Sequence, residues 1–212
     1  MRNRWLAVWV LLTVTAVSGL LWPFLPDRVV THWNAAGVAD GWSSRTTAIL
    51  IGPGAIAALL LVFQLLPRID PRRANYPRFQ DVYWLVANTL VLFVAVLHLA
   101  VLGAAAGARI DVLRVLAAAV AVLMIVLGNF FGRIRPNWFM GIRTPWTLDN
   151  PEVWRKTHRV AAWLFVLAGV VTAVGLVLPG VQPLWIAFGG AMVAALGSVV
   201  LSLVFWLKEK RA

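Results

Sequence analysis

Three histidines, His32, His98 and His158, carry most of the chemistry open to this chain, because neutral imidazole can bind a metal or take a proton near neutral pH. His32 lies in LPDRVVTHWNAAGVADGWSS, Leu25 to Ser44, beside Asp27 and Asp40, and carboxylate and imidazole are both competent ligands for a divalent cation. Their spacing repeats no ligand pattern. The preferred reading is a folded cap without metal, whose Trp33 and Trp42 pack on nearby helix ends and whose Pro26, Gly37 and Gly41 set its turns. His158 closes the stretch GRIRPNWFMGIRTPWTLDNPEVWRKTHR, Gly132 to Arg159, which holds three tryptophans and six Lys/Arg in 28 positions. There Arg133, Arg135 and Arg143 could grip phosphate or carboxylate through paired N–H donors, with Trp138 and Trp146 stacked on guanidinium or set into a membrane interface. No HExxH, GxSxG or paired-carboxylate pattern accompanies any of the histidines, and cysteine is absent. These residues point away from an enzyme and a bound cofactor, and toward surfaces that hold a partner.

The elements that must position them lie in a membrane. Of the 212 residues 61% are hydrophobic and 13% charged, and the mean hydropathy is +0.84, too little polar surface for a soluble domain. Runs long enough to cross a bilayer as helix occur at about 5–24, 48–66, 82–103, 112–131, 160–178 and 184–207. The expected fold is all-α, a polytopic membrane protein of six transmembrane helices forming one membrane domain over 1–212, with an external loop at 25–47 and a cytoplasmic loop at 132–159. MRNR, an apolar run and then AVSG has the outline of a signal peptide, but the run continues through Phe24, so a retained span is expected. The net charge of +11 is spread between apolar runs and forms no block, which favours anionic lipid over nucleic acid as its partner. Alternate segments carry 15 of the 19 Lys/Arg on one side, so both termini are expected in the cytoplasm. Trp5, Trp22, Trp84, Trp163, Trp185 and Trp206 fall near predicted helix ends, where indoles favour the headgroup zone.

In the 132–159 stretch, Pro136 and Pro145 block continuous helix and Gly141 permits a turn. Asn150 as N-cap, Pro151 in the first turn and Glu152 restart one; Trp154 and His158 then share a face, as do Arg155 and Arg159. Two readings of this loop stay open: an electrostatic anchor to anionic lipid, and a shaped surface for an acidic partner.

GNFFGRIRPNWFMGIRTPWTLDNPEVWRKTHR resembles the signature of the SdpI family of bacterial membrane proteins, and LPDRVVTHWNAAGVADGW resembles a segment common at the N-terminal end of those proteins. The resemblance implies a multi-pass protein of the bacterial cytoplasmic membrane that gives immunity to a secreted toxic peptide met on the outside, and that signals by holding a transcriptional repressor at the membrane. The residues singled out, as a partner-binding or structural signature, are Arg133, Arg135, Pro136, Asn137, Trp138, Gly141, Arg143, Thr144, Pro145, Trp146, Trp154, Arg155 and His158, with His32, Trp33, Asn34, Gly37, Asp40, Gly41 and Trp42 in the external loop.

Within the spans, Asn88 and Asn129 are expected to bond between helices and His98 to be a packed residue. IGPG at Ile51–Gly54 is expected to kink or open the second helix, which together with the six spans motivates transport of a small molecule or peptide as the alternative function.

Overall fold

The computed structural model describes residues 3–34 and 36–211, with side chains from Trp5 onward. Six helices are long and apolar enough to cross a membrane: α1 (Asn3–Leu21), α2 (Arg45–Ile69), α3 (Gln80–Ala105), α4 (Val112–Phe131), α6 (Pro151–Gly175) and α7 (Pro183–Glu209). A five-residue helix, α5 (Pro145–Asp149), precedes α6. The six expected spans are all present. Five begin earlier than hydropathy indicates, and in α2 and α6 polar caps, not apolar residues, set the start. Ser44 caps α2 by accepting from Thr47 N, and Asn150 caps α6 by accepting from the amides of Glu152 and Val153.

Small residues bring α4 and α6 together. A Cβ on Gly128 would lie 2.8 Å from Ala162 O, and one on Gly169 would lie 2.7 Å from Ala121 O, so the backbones touch where side chains would hold them apart. The same contact sets Trp163 level with the last turn of α4, where its indole is exposed. On the other side of the bundle, α1, α2 and α3 close over Val14, Ile56, Leu60 and Val91.

Between α1 and α2 the chain forms two strands, β1 (Arg28–Trp33) and β2 (Ala39–Ser44), paired antiparallel with Val30 opposite Trp42. The expected turns are there, but they close a sheet that spacing alone had not indicated. Asn34 Oδ1 accepts from Ala36 N and Val38 N, and Gly37 takes a positive φ of 79°. The two strands with free edges lie in the connection between two span-length helices and not within a span, where free edges could not be satisfied. Val29, fully buried among Leu25, Ala48 and Leu102, fastens the hairpin to the helix ends.

Inside the spans, α2 continues as helix through IGPG with Pro53 inside it, so the helix is not broken there. One expectation is corrected. Asn129 does not bond between helices: its Nδ2 donates to Ile125 O one turn back, on an exposed face.

Candidate functional sites at the two ends of the bundle

At the hairpin end, β1 roofs a groove of 390 Å³ between α2, α3 and α4, walled by Ile51, Val94, Leu97, Leu113 and Leu116. Trp33 and Asn34 stand at its rim, with His32 beside them. His32 Nδ1 lies 2.6 Å from Asp40 Oδ1 across the hairpin, and Gly41 opposite leaves the room, since a Cβ there would meet His32 Cβ at 2.8 Å. Asp27 does not join them; it pairs with Arg45 at 2.5 Å. Of the two cap tryptophans only Trp33 turns toward the helices. Trp42 is 50% exposed, contrary to the packing expected of it.

The opposite end is built from the 70–79 connection and the 132–150 stretch, which interlock. Asn137 is fully buried and uses its whole amide: Nδ2 donates to Arg135 O and Met140 O, while Oδ1 accepts from Phe139 N and Met140 N. Thr144 and Thr147 cap α5 reciprocally, and Pro145 occupies its first turn. His158 is fully defined by its partners. Its Nδ1 lies 2.8 Å from Trp154 O, which can only accept, and its Nε2 lies 3.0 Å from Ile142 N, which can only donate, so Nδ1 carries the proton. The ring also stacks on Trp154 with centroids 4.1 Å apart, and Trp154 Nε1 donates to Ile134 O.

Several signature residues are therefore internal fasteners. Trp146 ties the stretch to α7, its indole N–H donating to Ser202 Oγ. Arg143 Nη1 donates to Trp138 O, Arg133 pairs with Asp81, and Arg155 pairs with Glu152. Trp138, 48% exposed, and the exposed Arg135 remain on the surface, with Pro136 beside them.

The residues that sequence reasoning missed lie in the 70–79 connection. Asp70, 2% exposed, accepts from Arg72 N, Tyr76 OH and Trp138 N. Burial first, and then the hydrogen bond to Asp70, push the Tyr76 phenol pKa well above its ordinary value. Asn75 Nδ2 donates to Pro136 O, and Arg72 donates to Leu148 O. Between the two segments lies a cleft of 750 Å³ bordered by Arg72, Arg78 and Arg135, with Asp149 at its edge. The clustering of Pro, Asn, Tyr and Arg in DPRRANYPRF was the available signal.

The arrangement defines a multi-pass membrane protein with a roofed apolar groove at one end and a rigid basic face at the other. The SdpI/YfhL protein family matches residues 133–205, and a domain of unknown function, DUF1648, matches residues 9–67. The chain is 26% identical over 157 residues to Immunity protein SdpI of Bacillus subtilis (strain 168), covering 74% of this chain and 73% of that protein. The C-terminal third of the chain is thus similar to the SdpI/YfhL family, and most of its length is similar to an immunity membrane protein. No solved structure matches it.

Proposed function

We propose that this protein protects the cell that carries it against a secreted toxic peptide, which it meets with the hairpin-roofed groove on the outer side of the membrane. The groove carries this reading, since it is a recess of apolar walls with a polar rim at that end. The similarity to an immunity protein supports the class of function. The hairpin side is taken as external because the opposite connections hold most of the Lys/Arg. The inner basic face, with Trp138 exposed and a cleft bordered by Arg72, Arg78 and Arg135, would then receive anionic headgroups and a cytoplasmic transcriptional repressor. The reading needs no catalysis. Transport, motivated by the six spans and a break in the second helix, draws less support, since α2 continues as helix through IGPG.

Reporter fusions are expected to place Gly37 outside and Asn137 inside; the reverse would overturn the orientation and the repressor step together. Protection is tested by expressing the chain in a sensitive bacterium and titrating secreted peptide fractions. Trp33→Ala and His32→Ala should each raise sensitivity roughly tenfold, the equivalent of about 1.4 kcal/mol, at unchanged protein level in the membrane. Trp42→Ala, which removes a ring that stands away from the groove, should not. Full protection by both rim variants would sink the groove as the contact surface.

A further inference from the structure

The groove under the hairpin is apolar on its helix walls except at His98, which lines it while being only 7% exposed. His98 stands seven residues before the end of α3 at Ala105, about 10 Å along a helix that rises roughly 1.5 Å per residue. A polar side chain at that depth is costly unless each of its polar atoms is satisfied. One atom is. Nε2 lies 2.8 Å from Ser18 Oγ on α1, and Ser18 Oγ lies 2.7 Å from Val14 O, which can only accept. Both contacts are hydrogen bonds only if the serine proton goes to Val14 and the imidazole proton sits on Nε2. Nδ1 is then a bare acceptor, without a hydrogen-bond partner among the described residues.

Gly52 explains how the ring comes to be there. A Cβ at that position would lie 2.2 Å from His98 Cγ, so the glycine of IGPG is the space in which the imidazole rests. Gly52 and His98 both border the groove. A sequence feature that suggested a helix break instead seats one acceptor in an apolar recess.

We propose that this groove binds the indole anchor of a hydrophobic peptide, whose ring N–H donates to His98 Nδ1. The inference rests on the reading that the partner is a secreted peptide, and it specifies the chemistry by which that peptide is held. Indole has a flat apolar ring and a donor with no acceptor, so it satisfies Nδ1 and brings no unpaired lone pair into the recess. An acyl chain would cover the same walls and leave Nδ1 unsatisfied. A charged group would find no counter-ion on Ile51, Val94, Leu97 or Leu116. The 390 Å³ volume lies within the roughly 300–1,000 Å³ usual for ligand pockets and accommodates an aromatic anchor with part of its neighbours.

The test uses the full chain in lipid nanodiscs and two probes read by fluorine NMR, a ring-fluorinated indole and its N-methyl derivative, each corrected for partition into empty nanodiscs. The N–H probe should bind roughly tenfold more tightly than the methylated one. His98→Phe, which keeps a ring and removes the acceptor, should bring the two affinities together, and Leu116→Trp, which fills the groove, should abolish both. Equal affinity of the two probes for the parent protein overturns the inference without recourse to any variant, as does a preference that survives His98→Phe. No toxic peptide enters this experiment. Loss of the probe preference with protection intact would therefore strike the anchor alone, while a clear preference with no protection would strike the immunity reading.

Discussion

Gly141→Ala is expected to destabilise the protein by about 3–5 kcal/mol, because a backbone penalty and a collision fall on the same atom. Gly141 has φ of +101°, a conformation that side chains other than glycine rarely adopt. An added Cβ would also lie 2.3 Å from His158 Nε2, the atom that accepts from Ile142 N. The imidazole has no easy retreat. Trp154 stacks on one face, Phe131 meets it edge-on at 6.1 Å, and Nδ1 is held by Trp154 O. Denaturant unfolding in micelles, followed by tryptophan fluorescence, measures the loss. The two terms separate in a double-mutant cycle: in a His158→Ala background Gly141→Ala should cost only the backbone part, about 1–2 kcal/mol. Additive costs would mean that the Gly141–His158 contact contributes nothing.

That contact shows what could be read in the sequence and what could not. The spans were legible, since each depends on a local run of apolar residues long enough for a bilayer. So were the turn at Gly141 and the restart of helix at Asn150, because caps and positive φ values have short-range chemistry. The histidine environments were not. Each of the three histidines lies against a glycine, His32 on Gly41, His98 on Gly52 and His158 on Gly141, but the partners come from different strands, helices or loops. No spacing rule links them; only the packed fold does. The hairpin escaped for a related reason. RVVTHW has β-forming residues, but ADGWSS reads as turn, and its strand pairing depends on Val29 being fastened between helices that the loop itself connects. The tie from Trp146 to α7 was not legible either, because its partner Ser202 is 56 residues away.

Asp70→Asn should cost about 3 kcal/mol even though it removes only a charge and changes no shape, because all three partners of this buried group are donors. Arg72 N lies 2.7 Å from Oδ1, and Tyr76 OH and Trp138 N lie 2.9 and 3.0 Å from Oδ2. A carboxylate accepts from all of them. An asparagine must point its NH₂ at either Arg72 N or the pair on the other oxygen, setting donor against donor in a site closed to water. The less costly orientation keeps the carbonyl toward Tyr76 and Trp138 and orphans Arg72 N. The alternative releases Trp138 N and with it the direct tie between the 70–79 connection and the 132–150 stretch. Hydrogen exchange distinguishes the two, since the Trp138 amide accelerates only in the second. In either case the basic cleft should loosen, because Arg72 and Arg135 stand on the segments that Asp70 joins. The functional consequence follows from the same geometry. If the inner face acts by shape, Asp70→Asn should weaken capture of a cytoplasmic partner while leaving every arginine in place. If binding survives although the stretch exchanges freely, the face works by net charge alone, and the rigidity built around Asn137, Asp70 and His158 serves the fold and not recognition.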